Sequence, residues 1–313
     1  MALAELDLAL DLAIALGGLA AGILVGLTGM GGAVVVTPML VLVFGVPPAA
    51  AISSDLAAGA VTKPVGALVH ARAETVHWRL VAWISVGSIP GVLIGSVLFA
   101  GLLSRSGADA TLRTLIGVVV LIALAAMLAK RWLARRAAVT SGAGPVQCGT
   151  GVPVRAVPTV IVGAAVGLLV GLTSVGSGSL VVASLMLLYP LLRPSVMVGT
   201  DLAQAVPMLA VGAIAHAGFG EVLLPVVASL LLGQVPGVWL GARMSSRSDH
   251  RALRWLLMVV LGATAAKLLG APSAVAAVIG AAGVLGVGIA AAGDRWRVRF
   301  AGPEARNLLR QGP

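Results

Sequence analysis

The sequence predicts an all-α, polytopic transmembrane bundle of two inverted-topology repeats, with short or re-entrant helices near the midplane. Three observations predict it. Of 313 residues, 59% are hydrophobic and 10% are charged, whereas an ordinary soluble domain carries about 25% charged residues. Most of the apolar residues fall into runs near the ~20 residues that cross a bilayer core. The two halves of the chain also repeat each other in order. Such a composition cannot cover a globular surface with polar side chains, which excludes a soluble enzyme and a disordered chain.

Full-length spans are predicted at 9–28, 79–102, 111–130, 156–173, 222–242, 253–270 and 273–292. Four segments differ. Residues 33–46 and 178–190 are short for a span. Residues 48–70 and 194–217 are long enough but polar, with Asp55, Lys63 and His70 in one and Asp201, Gln204 and His216 in the other. The N-terminus carries Glu5, Asp7 and Asp11 where a cleaved signal would be basic, so the first span is expected to be retained. The single cysteine, Cys148, excludes a disulfide framework within the chain.

Residues 22–32 align with 167–177 at an offset of 145, with seven of eleven positions identical. The offset then becomes 146. Ser54-Asp55-Leu56-Ala57 matches Thr200-Asp201-Leu202-Ala203, Gly66 matches Gly212, His70 matches His216, and Pro90-Gly91 matches Pro236-Gly237. Shared apolar runs arise by chance far more readily than ordered matches of Gly, Thr, Asp, His and Pro. The expected organisation is a first repeat over 1–136, a cytoplasmic linker over 137–155, a second repeat over 156–270, a final helix over 271–292 and a basic tail over 293–313.

The net charge of +10 suggests a nucleic-acid binder at first sight, but the basic residues are distributed otherwise. They gather in the central loop (Lys130, Arg131, Arg135, Arg136, Arg155), in loop 243–254 and in the tail, as on the cytoplasmic side of a membrane protein. Aromatic residues, at 4%, are too few for a base-stacking platform. Placing all three basic regions inside puts the N-terminus outside, and the number of crossings agrees. The first repeat then starts outside and the second inside, so the repeats are inverted. Short, interrupted segments at matching places of two such halves point to a transporter binding site.

Two glycine-rich breaks are the first candidates. They are Thr28, Gly29, Met30, Gly31 and Gly32 in one repeat, and Thr173, Ser174, Gly176, Ser177 and Gly178 in the other. Small residues in succession weaken a helix by about 1 kcal/mol each. A helix restarting there would aim free N–H groups at an anion, with hydroxyls of Thr28, Thr173, Ser174, Ser177 and Ser179 adding donors. The competing reading is close helix packing through small residues, which Gly18, Gly22 and Gly26 also suggest.

Asp55 and Asp201 are repeat-related carboxylates inside spans, a placement that costs at least ~2.5–3.5 kcal/mol on insertion scales. With Ser54, Thr200 and Gln204 they are expected either to carry a coupling ion or to cap a helix that begins there. Lys63 precedes Pro64, where the helix is expected to kink or start anew. Its ammonium either contacts an anionic substrate or snorkels to the interface. Lys63 shares its segment with Asp55, whereas Leu209 stands at the matching place beside Asp201. Asp201, lacking a nearby cation, is therefore the better candidate for a proton that binds and leaves. His70 and His216 are candidates for protonation, against the plainer reading of hydrogen-bonded or interfacial histidines.

These motifs together resemble the TauE/SafE sulfite exporter family. The residues carrying the resemblance are Gly22, Gly26, Gly29, Gly31 and Gly32 with Pro38, then Ser53 to Leu56, then Pro90, Gly91 and Gly95. The second copy is Gly167, Gly171, Gly176 and Gly178, then Gly199 to Leu202, then Pro236, Gly237 and Gly241. The resemblance covers residues 10–270. It implies a multi-pass carrier of the bacterial inner membrane for sulfite, sulfonates or related oxyanions. With the inverted repeats, the expectation is export by alternating access, with coupling to protons or another ion left open. The expected partners are a small anionic substrate and the lipid bilayer; no nucleic acid, metal or cofactor is expected. Rival readings are a carrier whose aspartates bind a cation, an intramembrane serine hydrolase using Ser177 or Ser179 with His216, and a structural membrane subunit. The hydrolase reading is the weaker because its serines fall in a motif whose first copy has Gly31 and Gly32.

Overall fold

The computed structural model describes residues 2–28, 33–140, 152–219, 221–245, 251–272, 274 and 281. Among these it is all helical. The helices are α1 (Ala2–Thr28), α2 (Ala33–Leu42), α3 (Pro48–Arg72), α4 (Trp78–Leu103), α5 (Ala108–Thr140), α6 (Ala156–Thr173), α7 (Ser179–Leu188), α8 (Pro194–Ala217), α9 (Leu224–Ser245) and α10 (Arg251–Leu268). Five described stretches are long and apolar enough to cross a membrane: Trp78–Leu103, Ala108–Ala129, Ala156–Thr173, Ser195–Ala217 and Leu224–Gly241. The chain is a multi-pass membrane protein. The expected final helix and basic tail lie outside the described residues, apart from a few positions between 271 and 281, as does most of the expected linker.

The segments expected to be short are the two ten-residue helices, α2 and α7. The expected restart at Pro64 does not occur, because α3 runs unbroken from Pro48 to Arg72. In an apolar bundle, neighbouring helices and Ser/Thr hydroxyls accommodate a proline that would stop a soluble helix. Here α8 packs along α3, and Thr62 Oγ1 donates to Ala58 O at 3.1 Å in the turn before the proline.

Small residues fix the helix pairs. α1 lies against α9, and α4 against α6, with backbones close enough that a side chain would not fit between them. A Cβ on Gly22 would stand 2.7 Å from Gln234 O, and one on Gly18 would stand 2.9 Å from Leu230 O. On the other pair, a Cβ on Gly87, Gly91 or Gly95 would collide with carbonyls of Val160, Ala164 or Leu168. Residue numbers rise together along both contacts, so each pair runs parallel. Without a hydrophobic driving force between helices in lipid, such close packing is what holds them.

The third pair, α3 with α8, runs antiparallel. Gly59 meets Leu209, Gly66 meets Leu202, and Gly212 meets Leu56. The last two contacts exchange the matched residues Leu56 and Leu202, and Gly66 and Gly212.

Gly163→Ala and Gly233→Ala, whose new methyls would run into the carbonyls of Ile84 and Ala15, are expected to lower stability by about 1–3 kcal/mol each. Gly101→Ala, with nothing within 4 Å of its added carbon, is the control. Thermal unfolding of the purified protein in detergent separates the two classes.

Candidate functional site

α6 stops at Thr173, and α7 begins at Ser179. Between them Ser174 adopts φ 60° and Gly176 adopts φ 119°, both in left-handed territory. Glycine takes that conformation freely; for serine it costs on the order of 1–3 kcal/mol and needs support. Ser174 has that support. Its N–H bonds Val170 O at 2.7 Å, and its hydroxyl donates to Asp55 Oδ2 at 2.8 Å. Thr37 of α2 donates to the same oxygen at 2.6 Å. Asp55 therefore ties α2, α3 and the α6–α7 break into one knot.

Removing either hydroxyl, in Thr37→Val or Ser174→Ala, is expected to cost about 1–3 kcal/mol, since a buried carboxylate loses a donor. Chemical denaturation or thermal melting reads the loss. The pair of changes should exceed the larger single effect, because both donors serve one oxygen.

The first break is only partly visible. α1 ends at Thr28 and α2 begins at Ala33, and the candidates Gly29, Met30, Gly31 and Gly32 lie outside the described residues. In the second break, Thr173 is not the free donor expected. Its hydroxyl donates to Leu169 O at 2.8 Å and accepts the N–H of Val175 at 3.3 Å. Ser177 and Ser179 differ from it: both hydroxyls are buried without a hydrogen-bond partner among the described residues.

The expectation that Ser54, Asp55, Thr200 and Asp201 cap the helices they occupy does not hold. α3 and α8 begin at Pro48 and Pro194, so all four sit in the second helical turn. The two hydroxyls serve other helices instead. Ser54 Oγ accepts the N–H of Leu223 at 3.1 Å, just before α9. Thr200 Oγ1 accepts the N–H of His77 at 3.0 Å, just before α4. His77 and Leu223 are themselves 146 residues apart, so one interaction occurs twice at the repeat offset.

A cavity of about 250 Å³ opens among α1, α3, α8, α9 and the α6–α7 break. Of the expected site residues it is lined by Asp55, Lys63, His70, Ser174 and Ser177. Thr173, Gly176, Gly178, Asp201, Gln204 and His216 are not among its walls. Val65, Val69, Leu202, Leu209 and Val238 make much of the rest apolar. Lys63 is 6% exposed, and its ammonium has no hydrogen-bond partner among the described residues.

Lys63 lies on α3 between Gly59, which meets Leu209, and Gly66, which meets Leu202, so it stands near Asp201 of α8 as well as Asp55. The expectation that Asp201 lacks a compensating cation is thereby corrected. It counted charges along one segment, whereas the antiparallel contact of α3 and α8 places Lys63 within the field of the other repeat. What separates the carboxylates is hydrogen bonding. Asp55 Oδ2 accepts two hydroxyls. Asp201 accepts only the Gln204 amide, on Oδ1 at 3.3 Å, and its Oδ2 is buried without a partner, as is Gln204 Oε1.

The two histidines sit at opposite ends of the α3–α8 pair. His70 is half-buried, bonds Thr75 Oγ1 at 2.8 Å and lines the cavity. His216 is fully buried and fully engaged. Its Nε2 lies 2.9 Å from Gly171 O and its Nδ1 2.9 Å from Ser53 Oγ. A carbonyl only accepts, so Nε2 carries the proton of that bond.

The sequence reading missed Gln234 and Trp239 of α9, which line the cavity. Gln234 had a usable signal, as a lone amide within the otherwise apolar 222–242 stretch.

Comparison with known proteins follows the same lines. The sequence model of the sulfite exporter TauE/SafE family matches residues 14–268. Probable membrane transporter protein YjnA of Bacillus subtilis (strain 168) is 32% identical over 262 residues, covering 83% of this chain and 100% of that protein. Probable membrane transporter protein YdhB of the same organism is 30% identical over 228 residues, covering 72% of this chain and 86% of that protein. No solved structure gives a significant match.

Proposed function

Because the chain belongs to the sulfite exporter TauE/SafE family, and is a membrane transporter, we propose that it carries a small sulfur-containing anion, sulfite, a sulfonate or a related oxyanion, outward through the α1–α3–α8–α9 cavity. The observation that carries this reading is the Lys63 ammonium, buried beside a cavity and lacking a hydrogen-bond partner among the described residues. A buried charge without a partner is costly, and an anion in the cavity would supply the missing one. The unpartnered hydroxyl of Ser177 adds a donor on the same wall.

The mechanism proposed is alternating access between two inverted repeats, with the N-terminus outside and the basic regions in the cytoplasm. The contacts support it. α1 with α9 and α6 with α4 are matched pairs, each joining one helix from either repeat. Matched α3 and α8 run antiparallel and exchange equivalent contacts at Gly66 and Gly212. A pseudo-two-fold axis in the membrane plane produces reciprocal contacts of that kind.

A cation-coupled carrier is the second reading. It draws on the two unpartnered acceptors, Asp201 Oδ2 and Gln204 Oε1. The hydrolase reading finds no support in the geometry, since neither Ser177 nor Ser179 has a base in hydrogen-bond reach and His216 is committed to Ser53 and Gly171.

Flux into proteoliposomes tests the proposal, using sulfite, short-chain sulfonates, carboxylates and alkali cations, each with and without an imposed proton gradient. Saturable movement of sulfur anions is expected. Movement of the cations alone would overturn the anion assignment.

A further inference from the structure

Resting on the transporter reading, we propose that His216, Phe99 and Phe219 form the closed gate of the substrate path, at the end of the bundle away from the cavity mouth, and that His216 is its latch. The cavity runs from Asp55 and Ser177 to the last turn of α3, where Val69 is 51% exposed. Its walls reach the His70 end, where we place its mouth. Toward the opposite end the same bundle is filled. His216 and Phe99 are each 0% exposed, with ring centroids 4.4 Å apart. Phe219 closes against both, at 5.9 Å from His216 and 6.5 Å from Phe99.

The latch joins three helices. From α8, His216 donates through Nε2 to Gly171 O of α6 and accepts at Nδ1 from Ser53 Oγ of α3, both at 2.9 Å. Beside it, the Ser54 hydroxyl holds the N–H of Leu223, so the start of α9 is tied to α3 as well.

The repeat shows why only this end is latched. His70 stands where His216 does, and Gly26 where Gly171 does. The other three matched positions differ: Gly199 replaces Ser53, Ser245 replaces Phe99, and Ala73 replaces Phe219. At the matched places the His70 end has glycine where Ser53 stands and no ring where Phe99 and Phe219 stand. Gly199 lies against the backbone of Thr75 and the Cβ of His70, leaving no room for a side chain. His70 bonds Thr75 in its own loop, so its ring bridges no second helix there. One end of the path is held by directional bonds and ring packing, and the other stays open onto the cavity.

The test uses the full chain with Cys148→Ser and a reporter, Val65→Cys, in the cavity wall. A membrane-impermeant thiol reagent is applied to each face, in right-side-out and inverted vesicles. Glu74→Cys and Glu221→Cys mark the His70 face and the His216 face. The expected result is that Val65→Cys reacts from the Glu74 face only. Adding His216→Ala, or Phe99→Ala with Phe219→Ala, should raise its rate from the Glu221 face at least tenfold. The rate from the Glu74 face stays unchanged, which shows that the bundle is intact.

Ser53→Ala removes a single latch bond and should give a smaller rise, which keeps the test decisive if the larger changes prevent folding. Equal labelling from both faces before any gate substitution would overturn the proposal. So would variants that keep the Glu74-face rate and gain none from the Glu221 face. Flux measured on the same vesicles is independent: altered access without transport of any panel compound would overturn the transporter reading instead.

Discussion

Lys63→Met is expected to abolish saturable anion binding and, at the same time, to raise the melting temperature of the protein. The ammonium is buried and has no hydrogen-bond partner among the described residues, so in the empty protein its lost hydration is a cost that truncation removes, provided the carboxylates it faces are neutralised by protons. The matched position in the second repeat is Leu209, which shows that this helix pair accommodates an apolar side chain there. Methionine should therefore pack without loss. An anion in the cavity, by contrast, would lose its one fully charged donor. Truncating one partner of a buried charge pair typically costs about 2–5 kcal/mol, or roughly 30-fold or more in affinity. Binding isotherms for the best substrate of the flux panel give the first quantity, and thermal unfolding without substrate gives the second. Lys63→Arg keeps the charge and should retain part of the affinity. If Lys63→Met binds normally, the lysine only snorkels. If it binds poorly and also melts early, its role is to hold the fold. Only loss of affinity with a gain in stability fits a substrate contact, and that pattern is the familiar conflict between function and stability at a binding site.

Periodicity and punctuation made the helices legible. The segment over 156–173 matches α6 and that over 194–217 matches α8, because a proline and a glycine bound the latter and a stretch rich in glycine and proline precedes the former. The basic residues expected in the central loop, Lys130, Arg131, Arg135 and Arg136, belong instead to α5, which runs on to Thr140. The break between α6 and α7 was legible for the same local reason. Small residues at 174–178 weaken a helix wherever the rest of the chain happens to be. What the sequence could not carry were the partners across the bundle. Ser54 and Thr200 read as caps of their own helices because capping is normally local. They accept instead from backbone N–H groups 169 and 123 residues away. Lys63 read as the companion of Asp55 because the two share a segment, and only the antiparallel crossing with α8 brings its field to Asp201 as well. The histidines looked equivalent by repeat. Their surroundings differ through Ser53, Phe99 and Phe219, whose meeting with His216 shows only once helices from both halves come together at one end.

Asp201→Asn is expected to release transport from the proton gradient while leaving exchange of substrate across the membrane intact. With both carboxylates ionised, Lys63 faces two negative charges, and an entering anion adds a third. A proton taken up by one carboxylate removes that excess. Asp55 is the poorer place for it, because its Oδ2 already accepts from Thr37 and Ser174 at 2.6 and 2.8 Å, an arrangement that suits an acceptor. Asp201 Oδ2 is buried and accepts nothing, and the neighbouring Gln204 Oε1 is equally without a donor, so a proton or small cation arriving there meets unused acceptors. Asparagine fixes position 201 in an uncharged form of almost the same size. The bound anion then no longer needs a proton, its affinity should hold or tighten, and counterflow should proceed at a comparable rate with or without a gradient. Asp55→Asn should behave differently: it weakens the knot joining α2, α3 and the α6–α7 break, so the melting temperature falls together with substrate affinity. The decisive measurement is gradient-driven accumulation beside counterflow in the same proteoliposomes. Accumulation that survives intact in Asp201→Asn would remove this carboxylate from the coupling step, whatever the substrate proves to be.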